Sequence, residues 1–342
     1  MKRLTYIDVM RGFAIFFIVY GHSIVHSLNS HIAFNIVYSF HVPLFFVISG
    51  LTFSSINKRF FSFLKNKFLR ILIPYFIWSL LFLIPYYLFG KSVGESFGNT
   101  GSFNILENLY NILYGVGASS ALKQNTPLWF LPALFSMEII FYFICKLKGK
   151  KNHFIIMLFL FLVSMFSYKF ISLILPFGLN TFLNLGIFFY FGYLMKEYKI
   201  IDIFYENKCL FILLLLVGVI TSIINKSISC VDYYYGNIFL FYISSISLSL
   251  CTIFFSRLIL KNEILEYIGK NSMGILIFHK LIIVTFQNKI PIINSLIRDS
   301  NFIVESLLGM VLSVITIIFC LFIIKILRIF KMNFLLGENL SK

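Results

Sequence analysis

The sequence predicts an all-α, polytopic membrane protein, a helix bundle of about ten transmembrane helices with N- and C-termini cytoplasmic. Three observations predict it. The 342 residues are 59% hydrophobic and only 12% charged, about half the charged share of an ordinary soluble domain. Apolar runs of about twenty residues recur, the length a helix needs to cross about 30 Å of hydrocarbon. Most of the 29 Lys and Arg fall in the connectors on one side of those runs, as the positive-inside rule requires. Membrane orientation therefore accounts for the net charge of +16, and no nucleic-acid partner is expected.

The runs lie at 8–28, 34–54, 71–90, 127–145, 153–171, 180–195, 209–225, 237–256, 271–288 and 302–324. The first opens with Asp8 and Arg11 and carries His22. It is too long for a signal-peptide core and lacks a small-residue cleavage site, so it reads as a retained helix. His26 sits near its outer end and His31 in the following turn. The second run carries His41 within Phe40-His41-Val42-Pro43-Leu44-Phe45-Phe46.

The connector 57–70 holds Lys58, Arg59, Lys65, Lys67 and Arg70 among Phe60, Phe61, Phe63 and Phe68. Two readings stand side by side: an interfacial segment held by anionic membrane lipids, and a landing site for a phosphorylated donor. After the third run, the connector 91–126 is rich in Gly, Ser and Asn and has no strong period. It reads as an acceptor-binding loop or as a mobile spacer. Pro127-Leu128-Trp129-Phe130-Leu131-Pro132 then sets an aromatic at the outer interface and two helix-perturbing prolines at the start of the fourth run.

Glu138 falls near mid-membrane, where a carboxylate needs a buried cation or a proton; Arg11 or Lys280 is the expected partner. The later connectors 146–151, 196–208 and 257–270 are basic. His153 opens the fifth run as an interface anchor. Asn271 or Ser272 is placed to cap the ninth run, which contains His279 and Lys280. No internal repeat is visible, and one membrane domain, 1–342, accounts for the chain.

Ionisable groups inside such runs are costly and mark functional sites or paired contacts. Arg11 and His22 are ten intervening residues apart, and eleven steps of about 100° return them to nearly one helix face, roughly 16 Å apart along the axis. By the same rise His22 lies roughly 9 Å from the outer edge and His41 about 10 Å from it. Two histidines on consecutive helices arrive at one level. Two readings follow: proton abstraction from a hydroxyl, or interhelical hydrogen bonds with Arg11 reaching the inner headgroups. His279 is a further candidate, since a His-Lys pair inside a span is unusual.

Other chemistries find no sequence support. There is no P-loop, dinucleotide fingerprint, H-E-x-x-H or G-x-S-x-G. The five cysteines, Cys145, Cys209, Cys230, Cys251 and Cys320, are scattered without a paired or ligand spacing. No metal is expected.

Tyr6-Ile7-Asp8-Val9-Met10-Arg11-Gly12-Phe13-Ala14-Ile15, followed by Gly21-His22, resembles the opening of the acyltransferase type 3 family of integral-membrane acyltransferases. Phe40 to Gly50 resembles that family's second-helix motif, Arg70-Ile71-Leu72-Ile73-Pro74-Tyr75 its third-helix start, and Leu128-Trp129-Phe130-Leu131-Pro132-Ala133-Leu134 its fourth. Ile268 to Ile275, on to His279, is similar to a late motif.

The resemblance implies transfer of an acyl group, usually acetyl from acetyl-CoA, to a sugar hydroxyl of a bacterial surface polysaccharide or its lipid-linked precursor. The Phe-His-x-Pro-Leu-Phe-Phe pattern is similar to fucose 4-O-acetylase-like sugar O-acetyltransferases. On this reading the protein sits in the bacterial plasma membrane, and Arg11, Arg70, Lys58, Arg59 and Lys67 meet the phosphates of the acyl-CoA. His22 deprotonates the acceptor or carries the acyl group, and His41 orients it or shares the proton. The rival class is a transporter or flippase of lipid-linked sugars, for which several spans and buried ionisable groups are equally natural.

Overall fold

The computed structural model describes residues 5–24, 31–54, 59–88, 104–118, 121–146, 150–170, 173–200, 207–225, 228–259, 262–289 and 302–338. These residues form helices and turns, with no strand among them beyond one isolated bridge between Ser229 and Tyr234. Hydrocarbon offers backbone groups no water partner, and a helix satisfies them within its own segment.

α1 (Thr5–Ser23) and α2 (His31–Thr52) stand at the centre. The third apolar run starts earlier than its hydropathy implies. Helix begins at α3 (Phe60–Lys67), passes a π-helical turn at Phe68–Leu72, and continues through α4 (Ile73–Leu81) and α5 (Leu83–Leu88). Pro74 has no N–H to give the Arg70 carbonyl, and its ring crowds that carbonyl, so the ladder widens there. The basic connector is thus the first part of the span's own helix.

The connector 91–126 is partly helical. α6 (Ile105–Tyr114) is capped by the Asn104 side chain, which accepts from the N–H groups of Leu106 and Glu107. A 3₁₀ turn, Thr126–Trp129, leads into α7 (Phe130–Ile144). The chain continues as α8 (Lys150–Phe170), α9 (Leu179–Glu197), α10 (Lys208–Ile224), α11 (Ile238–Leu258), α12 (Glu263–Lys270), α13 (Ser272–Lys289) and α14 (Phe302–Ile329).

Seven helical stretches among the described residues are long and apolar enough to cross a membrane, and eight if α12 and α13, bent by 81° at their junction, make one span. This measure does not reach the expected ten: α1 is not among the seven, and α10 is a shorter apolar helix. The chain is nonetheless a polytopic helix bundle. Asn271 sits at the bend and donates its side-chain amide to the Tyr267 carbonyl at 2.7 Å, closing α12. Asn271 also stands just before α13, where Asn271 or Ser272 was expected to cap, and its carbonyl accepts from the Ile275 N–H at 3.1 Å, while its side chain turns back to α12.

Two crossings bring backbones together. A Cβ on Gly12 would overlap the Leu265 carbonyl and one on Gly269 the Asp8 carbonyl, so α12 lies directly on the first half of α1. Gly50 and Gly192 do the same for α2 and α9, against the carbonyls of Phe189 and Val47. In a bilayer, where apolar contact with lipid is as good as contact with Leu, such close van der Waals packing carries helix association. At the periphery only 22% of the most apolar window of 152–170 is buried, against 67% for 176–197. α8 therefore faces lipid while α9 is internal.

Candidate active site

A cavity of about 390 Å³ opens at the end of the bundle where α1 begins and α2 ends. Its lining includes Arg11 and Ile18 from α1, Phe45, Ser49 and Thr52 from α2, and Lys67 and Arg70 from the α3 and π-turn segment. Phe130, Leu134 and Glu138 of α7 and Ser272, Met273 and Leu276 of α13 complete it, with Gly337 from the segment after α14.

Charges at this end are organised in pairs. Arg11 donates through Nη1 to Asp8 Oδ1 at 3.2 Å and through Nη2 to Thr52 Oγ1 at 3.5 Å, joining α1 to α2. Asp8 is 1% exposed. Glu138 pairs with Lys67, Nζ to Oε2 2.5 Å, which corrects the expected partner: neither Arg11 nor Lys280 meets it. The reason is tertiary, because the early start of α3 carries Lys67 beside α7. Arg70 stands on the π turn and donates through Nε to the Gly337 carbonyl at 3.2 Å.

Of the five basic residues expected to meet a phosphorylated donor, Arg11, Lys67 and Arg70 line the cavity. Arg59 is exposed at the N-cap of α3 and is absent from the lining. Lys58 lies outside the described residues, as does His26.

Three walls of the cavity each lead to a histidine. One turn beyond Ile18 on α1 is His22, one turn beyond Phe45 on α2 is His41, and one turn beyond Leu276 on α13 is His279. The rings gather accordingly. His22 and His279 have centroids 5.1 Å apart; Tyr38 stands between His22 and His41, 6.3 Å from the first and 4.8 Å from the second. His22 and His41 thus converge through Tyr38, and His279 joins them as the immediate neighbour of His22.

Two of these histidines have their tautomer set by the backbone. His41 Nδ1 donates to the Val37 carbonyl at 2.7 Å. His279 Nδ1 is 3.0 Å from the Ile275 carbonyl and 2.9 Å from that of Leu276. A carbonyl only accepts, so Nδ1 carries the proton in both rings and Nε2 keeps its lone pair. His279 Nε2 is buried without a hydrogen-bond partner among the described residues. His279 is 0% and His41 6% exposed, while His22 is half-buried. The most exposed of the three rings, His22, is thus backed directly by one oriented base, His279, and reached by the other, His41, through Tyr38.

Among the described residues no group of three His, Cys, Asp or Glu side chains is arranged to hold a metal ion. Asn125 donates its amide to the Ile277 carbonyl at 2.7 Å, anchoring the start of the fourth span to α13 two residues before His279. Sequence reasoning missed Tyr38 and Asn125; a Tyr three residues before His41, on its own helix face, was the available signal for the first. His153 bonds the Tyr190 hydroxyl at 2.6 Å, away from the cavity lining.

A protein-family model described as an acyltransferase domain matches residues 4–325. No curated protein and no solved structure matches the chain.

Proposed function

Because the chain belongs to the acyltransferase type 3 family, we propose that this membrane acyltransferase moves an acetyl group from acetyl-CoA to a sugar hydroxyl. The acceptor class is a surface polysaccharide or its lipid-linked precursor, and the setting is a bacterial plasma membrane. The observation that carries the reading is the common direction of the three cavity walls, each leading from a basic mouth to a histidine one turn deeper.

In this mechanism the nucleotide phosphates of the donor rest at Arg11 and Arg70 on the cytoplasmic side, with Lys67 beside them. The pantetheine arm lies along Ile18, Phe45 and Leu276. The roughly 16 Å between Arg11 and His22 separates a charged head from a thioester presented near the histidines. His22 is the ring that faces the acceptor, since His41 and His279 are more deeply buried.

His22 takes the proton of the acceptor hydroxyl as general base. The hydroxyl oxygen attacks the thioester carbonyl, a C–O bond forms, and collapse of the tetrahedral intermediate breaks the C–S bond. CoA leaves as thiolate and receives the proton from the imidazolium. His279, with Nε2 directed by its fixed tautomer, shares the charge that builds on His22, and Tyr38 and His41 hold the ring cluster in register.

Acetyl transfer from labelled acetyl-CoA is measured in membranes holding wild-type, His22→Ala or Arg11→Ala protein at matched expression. Loss in both variants supports the assignment; wild-type rates in both remove it. Mass analysis of surface glycans with and without the protein identifies the acceptor.

A further inference from the structure

After α14 the chain turns back beneath the bundle. A 3₁₀ turn at Asn333–Leu336 ends in Gly337, whose φ of 69° lies in the left-handed region that favours glycine. Three contacts fasten this strap. Trp78 Nε1 donates to the Leu335 carbonyl at 2.8 Å, Arg70 Nε to the Gly337 carbonyl at 3.2 Å, and Arg328 grips the Glu338 carboxylate through Nε and Nη2 at 3.3 and 2.5 Å. Gly337 also lines the cavity. A Cβ there would overlap the Arg70 carbonyl and press on Met273, another lining residue.

The three cavity cations differ in what else holds them. Lys67 is paired with Glu138 and Arg11 with Asp8. Arg70 has no carboxylate partner among the described residues, and the Gly337 carbonyl takes only its Nε–H. Its two Nη groups are left to form the forked end that suits a phosphate. A backbone carbonyl fixes that fork without neutralising it.

We infer that the strap 333–338 is part of the donor site, with Gly337 as the positioning residue that aims Arg70 at a phosphate of the nucleotide. The inference rests on the acyl-CoA reading of the cavity. The strap lies beyond residues 4–325, the part of the chain that matches the family. Its consequence is specificity: the strap favours donors that carry a phosphorylated nucleotide over thioesters that lack one.

The test compares acetyl-CoA with S-acetylpantetheine, which has no phosphate, in wild-type protein and in Gly337→Ala, Arg328→Glu and the charge-swapped Arg328→Glu/Glu338→Arg. The expected result is a KM for acetyl-CoA raised about tenfold in Gly337→Ala and Arg328→Glu, equivalent to one charge-assisted hydrogen bond. The kcat is unchanged, S-acetylpantetheine is used equally by all forms, and the swap restores KM. Equal loss with both donors, or an unmoved KM in Gly337→Ala protein with wild-type thermal stability, overturns the inference. CoA binding to the purified forms is read in parallel. Wild-type protein that binds CoA without acetyl turnover removes the transfer reading yet leaves the strap testable by the variants' affinities; CoA affinities equal across the forms remove the strap.

Discussion

His22 of α1 and His279 of α13 meet with ring centroids 5.1 Å apart, His279 lying at full burial with its Nδ1 proton committed to two carbonyls. A base fixed in this way steadies a partner that becomes cationic during proton transfer. Replacing His279 with Ala is expected to lower kcat by about a hundredfold, within the range of general acid–base contributions, with the donor KM unchanged. Steady-state kinetics in membranes at matched expression check this. His279→Gln, which restores a polar side chain without an imidazole base, stays impaired.

The Lys67–Glu138 pair predicts an asymmetry. Glu138 is the more buried partner, 9% against 26% side-chain exposure, so removing the lysine strands a buried carboxylate whereas removing the carboxylate leaves a lysine that reaches water. Lys67→Ala is expected to cost about 2 kcal/mol, reduced from the fully buried case by its exposure, and Glu138→Gln less. Thermal unfolding in detergent reads both, and the double variant recovers part of the loss.

The glycine crossings predict failures of assembly. Gly50→Val and Gly269→Val insert side chains where a carbonyl already lies, and overpacking of this kind costs about 1–3 kcal/mol or more. Both variants are expected to give less monodisperse protein in size-exclusion chromatography. Gly186→Ala meets only the side chains of Phe182 and Leu160 and is the matched control that keeps the wild-type profile.

The cysteines test topology. Cys145, just past the C-terminal end of α7, is 3% exposed, and burial pushes its thiol up to about 12. The thiolate is the reactive form, so Cys145 stays unlabelled by maleimide at neutral pH. Cys209, exposed near the start of α10, labels. With the cytoplasmic orientation expected from the basic connectors, a membrane-impermeant maleimide reaches Cys209 in inverted vesicles and misses it in intact cells.

Much of this layout was legible in the chain. Composition and run length give the helical membrane class, and helix periodicity alone puts Arg11 below His22 on one face, where the structure has a basic cavity at one and a ring cluster at the other. His41 was placed at the same level by counting residues, because rise per residue is constant. What escaped was tertiary. Lys67 pairs with Glu138 because Pro74 widens the helix and lets α3 run straight into its span, a consequence that hydropathy averages away. α6 was hidden in a polar loop because its ten residues are too short to show a period against their surroundings. Nothing local announces the strap: Gly337 reads as an ordinary glycine until Arg70 is found beneath it.

The central claim is a division of labour along the bundle, donor phosphate at the Arg-lined cavity and proton transfer at the histidine cluster one turn beyond its lining. The measurement that tests it most directly is the kcat and KM for acetyl-CoA of Arg70→Ala and His22→Ala protein, side by side with CoA binding. The account predicts a raised KM with retained kcat for Arg70→Ala, and lost kcat with retained CoA binding for His22→Ala. Unchanged turnover by His22→Ala protein, or unchanged CoA affinity in Arg70→Ala protein, contradicts it.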